Sequence, residues 1–243
     1  MAFSLGVVMD PISTIKVYKD STFAMLLEAQ RRDCPLWYME QKDLVLHDGR
    51  CIAHMRALEV RDDPDDWFSL GEVQTRPLDT VDVVLTRNDP PVDMESVPPT
   101  DLLEQAEARG SLIVNRPSAL RDANEKLYTA WFPEVCTPTL VSRSHTEFDT
   151  FINAHKDVIM KPLDGMGGAS IFRVRAGDSN RNVIIETLTG HGKRYTMGQK
   201  FIPEIVDGDK RIIVIDGKPV PYALARVPSA GENRGNLAAG GSG

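Results

Sequence analysis

No stretch of this chain approaches the run of about 18 apolar residues that a membrane-spanning helix needs. Its first residues, MAFSLGVVMDP, carry neither a positive cluster nor a long apolar core of the kind that directs secretion. Cysteine is scarce. Cys34, Cys51 and Cys136 are odd in number, widely spaced and without a C-x-x-C, so neither a disulfide framework nor a zinc site is expected. The five histidines show no H-E-x-x-H or other ligand spacing. Positive charge is also short: 28 Lys and Arg against 35 Asp and Glu give a net charge of −7, with a pI near 5.3. That balance excludes a global basic field for nucleic acid or an anionic membrane, so any anion site must be local. We expect a cytoplasmic protein that partners neither nucleic acid nor membrane.

What remains is ordinary globular material: 243 residues, 42% hydrophobic and 26% charged, enough for one large or two modest domains. Leu5 to Met9 reads as a short strand ending at Asp10-Pro11, followed by Asp20-Ser21 as a helix cap ahead of Phe23, Leu26 and Leu27, and then by the strand Leu36 to Met39. Strand, helix, strand at this spacing predicts a βαβ unit and a parallel sheet. Asp48-Gly49 predicts a type I′ hairpin between 44–47 and 51–58. Val81 to Leu85 predicts another strand, which runs out into Thr86-Arg87-Asn88-Asp89-Pro90-Pro91. Ligands of open α/β sheets gather beyond strand C-termini, which puts Asp10 and Arg87 where a small molecule would sit; a surface ion pair is the competing reading of Arg87. Helices are expected over 102–108, from Pro117, over 124–132, 147–155 and 183–188. Further strands are expected at 112–115, 138–141, 196–202, 209–216 and 219–226. The texture changes near 120–125. We expect an α/β N-terminal domain with a parallel sheet over 1–123 and an α+β domain over 124–243.

The segment KPLDGMGGASIFRV, residues 161–174, places three glycines and a lysine between two apolar runs. It is not a Walker A loop, whose lysine follows the last glycine. It is not a dinucleotide fingerprint either, because the sixth position from Gly165 is Ser170 and the following residues alternate like a strand. Strand, glycine loop, strand remains, with Val158 to Met160 entering, Asp164 to Gly168 turning and Ala169 to Val174 returning. Such a loop can lie flat against phosphate oxygens and aim N–H groups at them. Taken alone, a plain glycine-rich hairpin is an alternative. Lys161 at the strand end and Lys126 on a separate element would complete a triphosphate site, and the strand end at 199–202 would offer main-chain groups to a base.

Across GVVMDP, DSTFAMLLEAQRR, LTRNDPP, ALRDANEKLYTAWFP, KPLDGMGGASIFRV, DGDKRIIVIDGKPVPYALARVP and RGNLAAGG, the chain resembles the ATP-grasp ligases and, within them, the bacterial glutathione synthetases. The resemblance implies an ATP-grasp fold in the second half. It also implies ATP- and Mg²⁺-dependent joining of γ-glutamylcysteine to glycine through an acyl phosphate. By it, Lys126, Lys161, Gly165, Gly167, Gly168, Ala169 and Ser170 hold the phosphates, while Gln199, Lys200, Phe201 and Ile202 hold the adenine. Asp209 binds ribose or orders Arg211, Arg211 or Arg226 stabilises the tetrahedral oxyanion, and Asp20, Ser21 and Arg87 hold the γ-glutamyl end. A lid, 227–243 with Arg234, excludes water. The family's Mg²⁺ ligands lie beyond the lid and no residue here matches them, so a chain lacking its C-terminal part, with an unpaired sheet edge, is expected. A homo-oligomer is compatible with the resemblance. A non-catalytic nucleotide- or peptide-binding module, or another ATP-grasp carboxylate-amine ligase, is the alternative.

Overall fold

A computed structural model describes residues 3–89, 94–232 and 234–243. Pro90 and Pro91, which end the loop after Arg87, lie outside these residues. The chain forms two compact units, Met1–Ala123 and Asn124–Gly243.

The first unit is a seven-stranded mixed sheet with helices on both faces. Its strands are β1 (Leu5–Met9), β2 (Leu36–Met39), β3 (Leu44–His47), β4 (Arg50–Val60), β5 (Phe68–Pro77), β6 (Val83–Arg87) and β7 (Leu112–Val114), in the order β3-β4-β2-β1-β6-β7, with β5 along β4. β1 runs parallel to β2 and β6, and β6 to β7. β4 is antiparallel to β2, β3 and β5, so the sheet is parallel in only half of its extent. The helices are α1 (Ser21–Arg31), α2 (Val97–Glu107) and α3 (Pro117–Asp122), which has proline at its first position. Period-two alternation splits β1 between two cores: Val7 packs with Phe23 and Leu26 of α1, and Val8 packs with Leu103 and Ala106 of α2. A strand buried on both faces reads as the continuous apolar run that Leu5–Met9 is. Asp48 and Gly49 both have positive φ, 48° and 72°, as the twist-matched two-residue hairpin requires.

The second unit has β8 (Thr139–Ser142), α4 (His145–His155), β9 (Asp157–Pro162), β10 (Phe172–Arg175), α5 (Arg181–Thr189), β11 (Thr196–Lys200), and a separate antiparallel ribbon, β12 (Asp209–Ile215) and β13 (Lys218–Arg226). The four-stranded antiparallel sheet has the order β10-β9-β11-β8. One face is covered by α4 and α5, with Phe148, Ile152, Val158, Met160, Val174, Ile185 and Leu188 forming its core. The opposite face carries the alternate residues Asp157, Ile159 and Lys161 of β9, aligned with Arg173 and Arg175 of β10 and with Met197 and Gln199 of β11.

Several boundaries differ from the sequence expectation. The helix expected over 124–132 is a 3-10 turn, Leu127–Trp131: the Asn124 side chain accepts from the amides of Lys126 (3.0 Å) and Leu127 (2.9 Å) as a helix cap does, but the chain leaves the helical region at Phe132 (φ −129°, ψ 57°), where the following Pro133 disfavours it. β5 had no sequence signal; Gly71 interrupts its run and Pro77 ends it. Lys161 is not the last residue of its strand, since β9 continues through Pro162.

Candidate functional site

The glycine loop connects β9 to β10. Gly167 (φ 63°), Gly168 (φ 84°) and Ser170 (φ 55°) turn the chain through the left-handed region. The Ala169 amide is spent within the loop on the Met166 carbonyl (3.0 Å), so this residue does not offer the N–H assigned to it from sequence. The amides of Gly165, Gly167, Gly168 and Ser170 have no partner among the described residues. A side chain at Gly168 would also collide with Asn236 Oδ1 at 3.0 Å and Arg234 Cδ at 3.1 Å.

Lys126 reaches this loop, and Lys161 lies near the end of β9 that leads into it. Lys126 Nζ donates to the Gly165 carbonyl, reaches the Leu163 carbonyl at 3.4 Å and pairs with Glu125 at 2.7 Å. Lys161, on the sheet face away from the helices, is held below the ordinary lysine range, first by burial and then by the positive charge of Lys126, with Glu125 opposing. Two cations kept close at an electrostatic cost, beside unpartnered amides, form a donor set that fits a polyphosphate.

The end of β11 offers a second kind of contact. Lys200 N–H bonds the Pro138 carbonyl (2.9 Å), Phe201 N–H bonds the Asp157 carbonyl (3.0 Å), and the Lys200 carbonyl accepts one bond from Thr137 Oγ1 (3.2 Å). Ile202 is extended (φ −105°, ψ 105°) and its N–H has no partner among the described residues. An alternating extended chain thus leaves a carbonyl lone pair at 200 and a free N–H at 202. The Gln199 side chain is turned to Thr139 Oγ1 (3.0 Å).

On the ribbon, Asp209 lies directly opposite Arg226 and binds its Nε (2.6 Å) and Nη2 (2.8 Å) in a fork. This corrects the assignment of Asp209 to Arg211. Antiparallel register brings opposite residues together, whereas Arg211, two residues along the same strand, is exposed and has no ion-pair partner among the described residues. The segment after β13 closes on itself through Val227 and Ser242, whose N–H and carbonyl groups pair reciprocally at 2.8 and 2.9 Å. Arg234 Nη1 donates to the Gly168 carbonyl (3.0 Å) while Nη2 pairs with Glu232, which ties this segment to the glycine loop.

In the first unit, Asp20 caps α1 by accepting from Phe23 N–H (2.8 Å), and Ser21, the first helical residue, is exposed. Arg87, at the C-terminal end of β6, donates from Nε to Thr22 Oγ1 (2.9 Å). Asp10, past the end of β1, accepts from Asn88 Nδ2 (3.2 Å) and Asp89 N–H (2.9 Å). Arg87 and the start of α1 therefore meet at the C-terminal edge of the parallel strands.

Residues 3–121 match the family described as "Prokaryotic glutathione synthetase, N-terminal domain", and residues 125–243 match "Prokaryotic glutathione synthetase, ATP-grasp domain". The chain is 56% identical to the glutathione synthetase of Vibrio vulnificus (strain YJ016) over all of its own length and 76% of that protein's. It is 57% identical to the glutathione synthetase of Escherichia coli (strain K12) over 98% of this chain and 76% of the relative. The chain belongs to the prokaryotic glutathione synthetase family. Among solved structures, the D-cycloserine synthetase DcsG matches with a TM-score of 0.60 at 14% identity, over 92% of this chain and 68% of that one. D-alanyl-alanine synthetase A from Vibrio cholerae matches with a TM-score of 0.54 at 10% identity, over 96% and 72%. These two likenesses are of fold alone; the ATP-grasp domain is given by the family match over residues 125–243.

Among the described residues no group of three or more His, Cys, Asp and Glu is placed to hold a metal ion by protein side chains alone. Among the same residues no helix is long and apolar enough to cross a membrane. Sequence reasoning missed Thr22, which is 4% exposed and receives Arg87, and the Asp157–Arg173 pair beneath Phe201. A threonine in the first turn beside an Asp cap, and an arginine alternating with apolar residues in FRVR, were the available signals.

Proposed function

We propose that this chain carries out ATP-dependent ligation of γ-glutamylcysteine to glycine, with the roles of its residues as follows. The observation that carries the reading is a glycine loop with unpartnered amides that Lys126 reaches, with Lys161 near the end of the strand that leads into it. Bound ATP supplies the γ-phosphoryl group that turns the dipeptide carboxylate, whose own leaving group would be oxide, into an acyl phosphate. Lys126, Lys161 and the amides of Gly165, Gly167, Gly168 and Ser170 position and neutralise the phosphates, which is most of what phosphoryl transfer asks of a protein. The Lys200 carbonyl and the Ile202 N–H, flanked by Gln199 and Phe201, receive the adenine. Arg226, its guanidinium locked by Asp209, is better suited than the unpaired Arg211 to meet an oxyanion at a fixed point, since preorganised donors need no reordering as charge develops. Arg87, with Asp20 and Ser21, receives the γ-glutamyl end. Arg234 closes segment 227–243 over the loop and excludes water.

The two compact units support a division into a substrate domain, 1–123, and an ATP-grasp domain, 124–243. Three cysteines, all unpaired, support a cytoplasmic setting. The test is ADP release that requires both γ-glutamylcysteine and glycine. Lys161→Ala is expected to lower turnover by about 10²-fold or more, as removal of a single electrostatic contributor does. Wild-type turnover in that variant would remove the phosphate role, and turnover with other acid and amine pairs alone would move the chain to a different ligase activity.

A further inference from the structure

On the open face of the second unit's sheet, Arg173 and Asp157 have no part in the reaction described above. Arg173 donates from Nε to Asp157 Oδ1 (2.9 Å) and from Nη2 to Asp157 Oδ2 (2.6 Å). It reaches diagonally, since its register partner is Ile159 and that of Asp157 is Arg175. The same guanidinium lies 3.6 Å over the ring of Phe201, which is 7% exposed. The Asp157 carbonyl accepts the Phe201 N–H at 3.0 Å. Asp157 and Arg173 thus grip Phe201 from main chain and ring at once, at the residue between the Lys200 carbonyl and the Ile202 N–H.

We propose that Arg173 is a positioning residue for nucleotide recognition: through Asp157 and the Phe201 ring it fixes the main chain at 200–202 as an edge that distinguishes adenine from a 6-oxo purine. This rests on the placing of adenine at 199–202 given under the proposed function. Adenine presents a 6-amino donor and the N1 acceptor, complementary to the Lys200 carbonyl and the Ile202 N–H. Hypoxanthine presents O6 and N1–H, which leaves both protein groups facing their own kind. A main-chain edge discriminates only if it cannot rotate to suit the wrong base. A bidentate arginine stacked on an aromatic ring supplies that rigidity, and lysine, a flexible point charge, does not.

The experiment is calorimetric titration of the full chain with ADP, IDP and inorganic tripolyphosphate, for wild type, Arg173→Ala and Arg173→Lys. Wild type should bind ADP about tenfold more tightly than IDP, the worth of about one well-formed hydrogen bond. Both variants should lose that preference to within about twofold through weaker ADP binding, while tripolyphosphate, which touches only the loop and lysines, binds as in wild type. A merely structural role would weaken tripolyphosphate too, or leave the ADP to IDP ratio intact, and either result overturns the proposal. If Arg173→Ala does not fold, Arg173→Lys decides the question by the same ratio. Wild type that binds no ADP, or does not distinguish ADP from IDP, overturns the adenine placement itself. Discrimination that survives in the variants overturns only the role of Arg173.

Discussion

Lys161 is a cation held where a cation is disfavoured. Burial and then Lys126 lower its pKa, so in the folded, unliganded chain the penalty on its charged form is fully present below the folded value. That penalty is relieved as pH rises toward the unfolded lysine value of 10.5. Stability should therefore gain from Lys161 as pH climbs through that interval. A bound polyphosphate reverses the balance by favouring the ammonium form. Nucleotide binding at alkaline pH is thus expected to draw a proton from solution, seen as a binding enthalpy that varies with the ionisation enthalpy of the buffer. Lys161→Met should bind more weakly and lose that buffer dependence; a dependence unchanged in the variant would assign the proton elsewhere. The ribbon gives a second residue-scale outcome. Asp209→Asn leaves Arg226 without its carboxylate fork, and turnover should fall by about tenfold or more if the guanidinium must be held at one point, with KM for ATP little altered. The glycines, the lysines and the acidic DGD are plain in the sequence. That Asp209 belongs to Arg226 is not, because a pairing across a ribbon depends on register, and the nearer Arg211 competes for the same assignment on paper.

At the scale of elements, α4 shows how the site's sheet is supported. Ser144 caps the helix by accepting from the Glu147 N–H, and Phe148 and Ile152, four residues apart on one face, are wholly buried against β9 and β11. Gly198 of β11 lies directly beneath the Phe148 ring, where a Cβ would approach Cε1 to 3.2 Å. Phe148→Ala is expected to destabilise the second unit by about 3–5 kcal/mol, measured by urea unfolding, because a cavity opens under a strand pinned on both edges. The helix is legible in the sequence over 147–155, short of its start at His145, as is the apolar β1. β5 is not, since Gly71 and Pro77 blur its alternation and its partner β4 is what holds it in the sheet. The expected helix at 124–132 stops short for a local reason as well, since Phe132 leaves the helical region ahead of Pro133. Periodicity reports burial. It does not report where a proline cuts a turn short.

For the whole molecule, the separateness of the cores matters most. Those built on α1 and α2 lie within residues 1–123, and the one built on α4 and α5 lies within 124–243. A domain organisation of this kind predicts that ligand binding at the glycine loop stabilises one unit and not the other. Tryptophan provides the reporters: Trp37 and Trp67 belong to the first unit and Trp131 to the second. With ADP at about a hundredfold excess over its Kd, linkage adds about 2.7 kcal/mol to the unit that binds it, or about 10 °C in the midpoint of a unit of this size. In a Trp37→Phe, Trp67→Phe chain, which reports through Trp131, the fluorescence midpoint should rise by that amount. In Trp131→Phe, which reports only the first unit, it should stay within about 2 °C of its unliganded value. Equal shifts in both chains would mean that the two cores unfold as one cooperative body, and the division at 123 would then mark a change of architecture without a thermodynamic boundary.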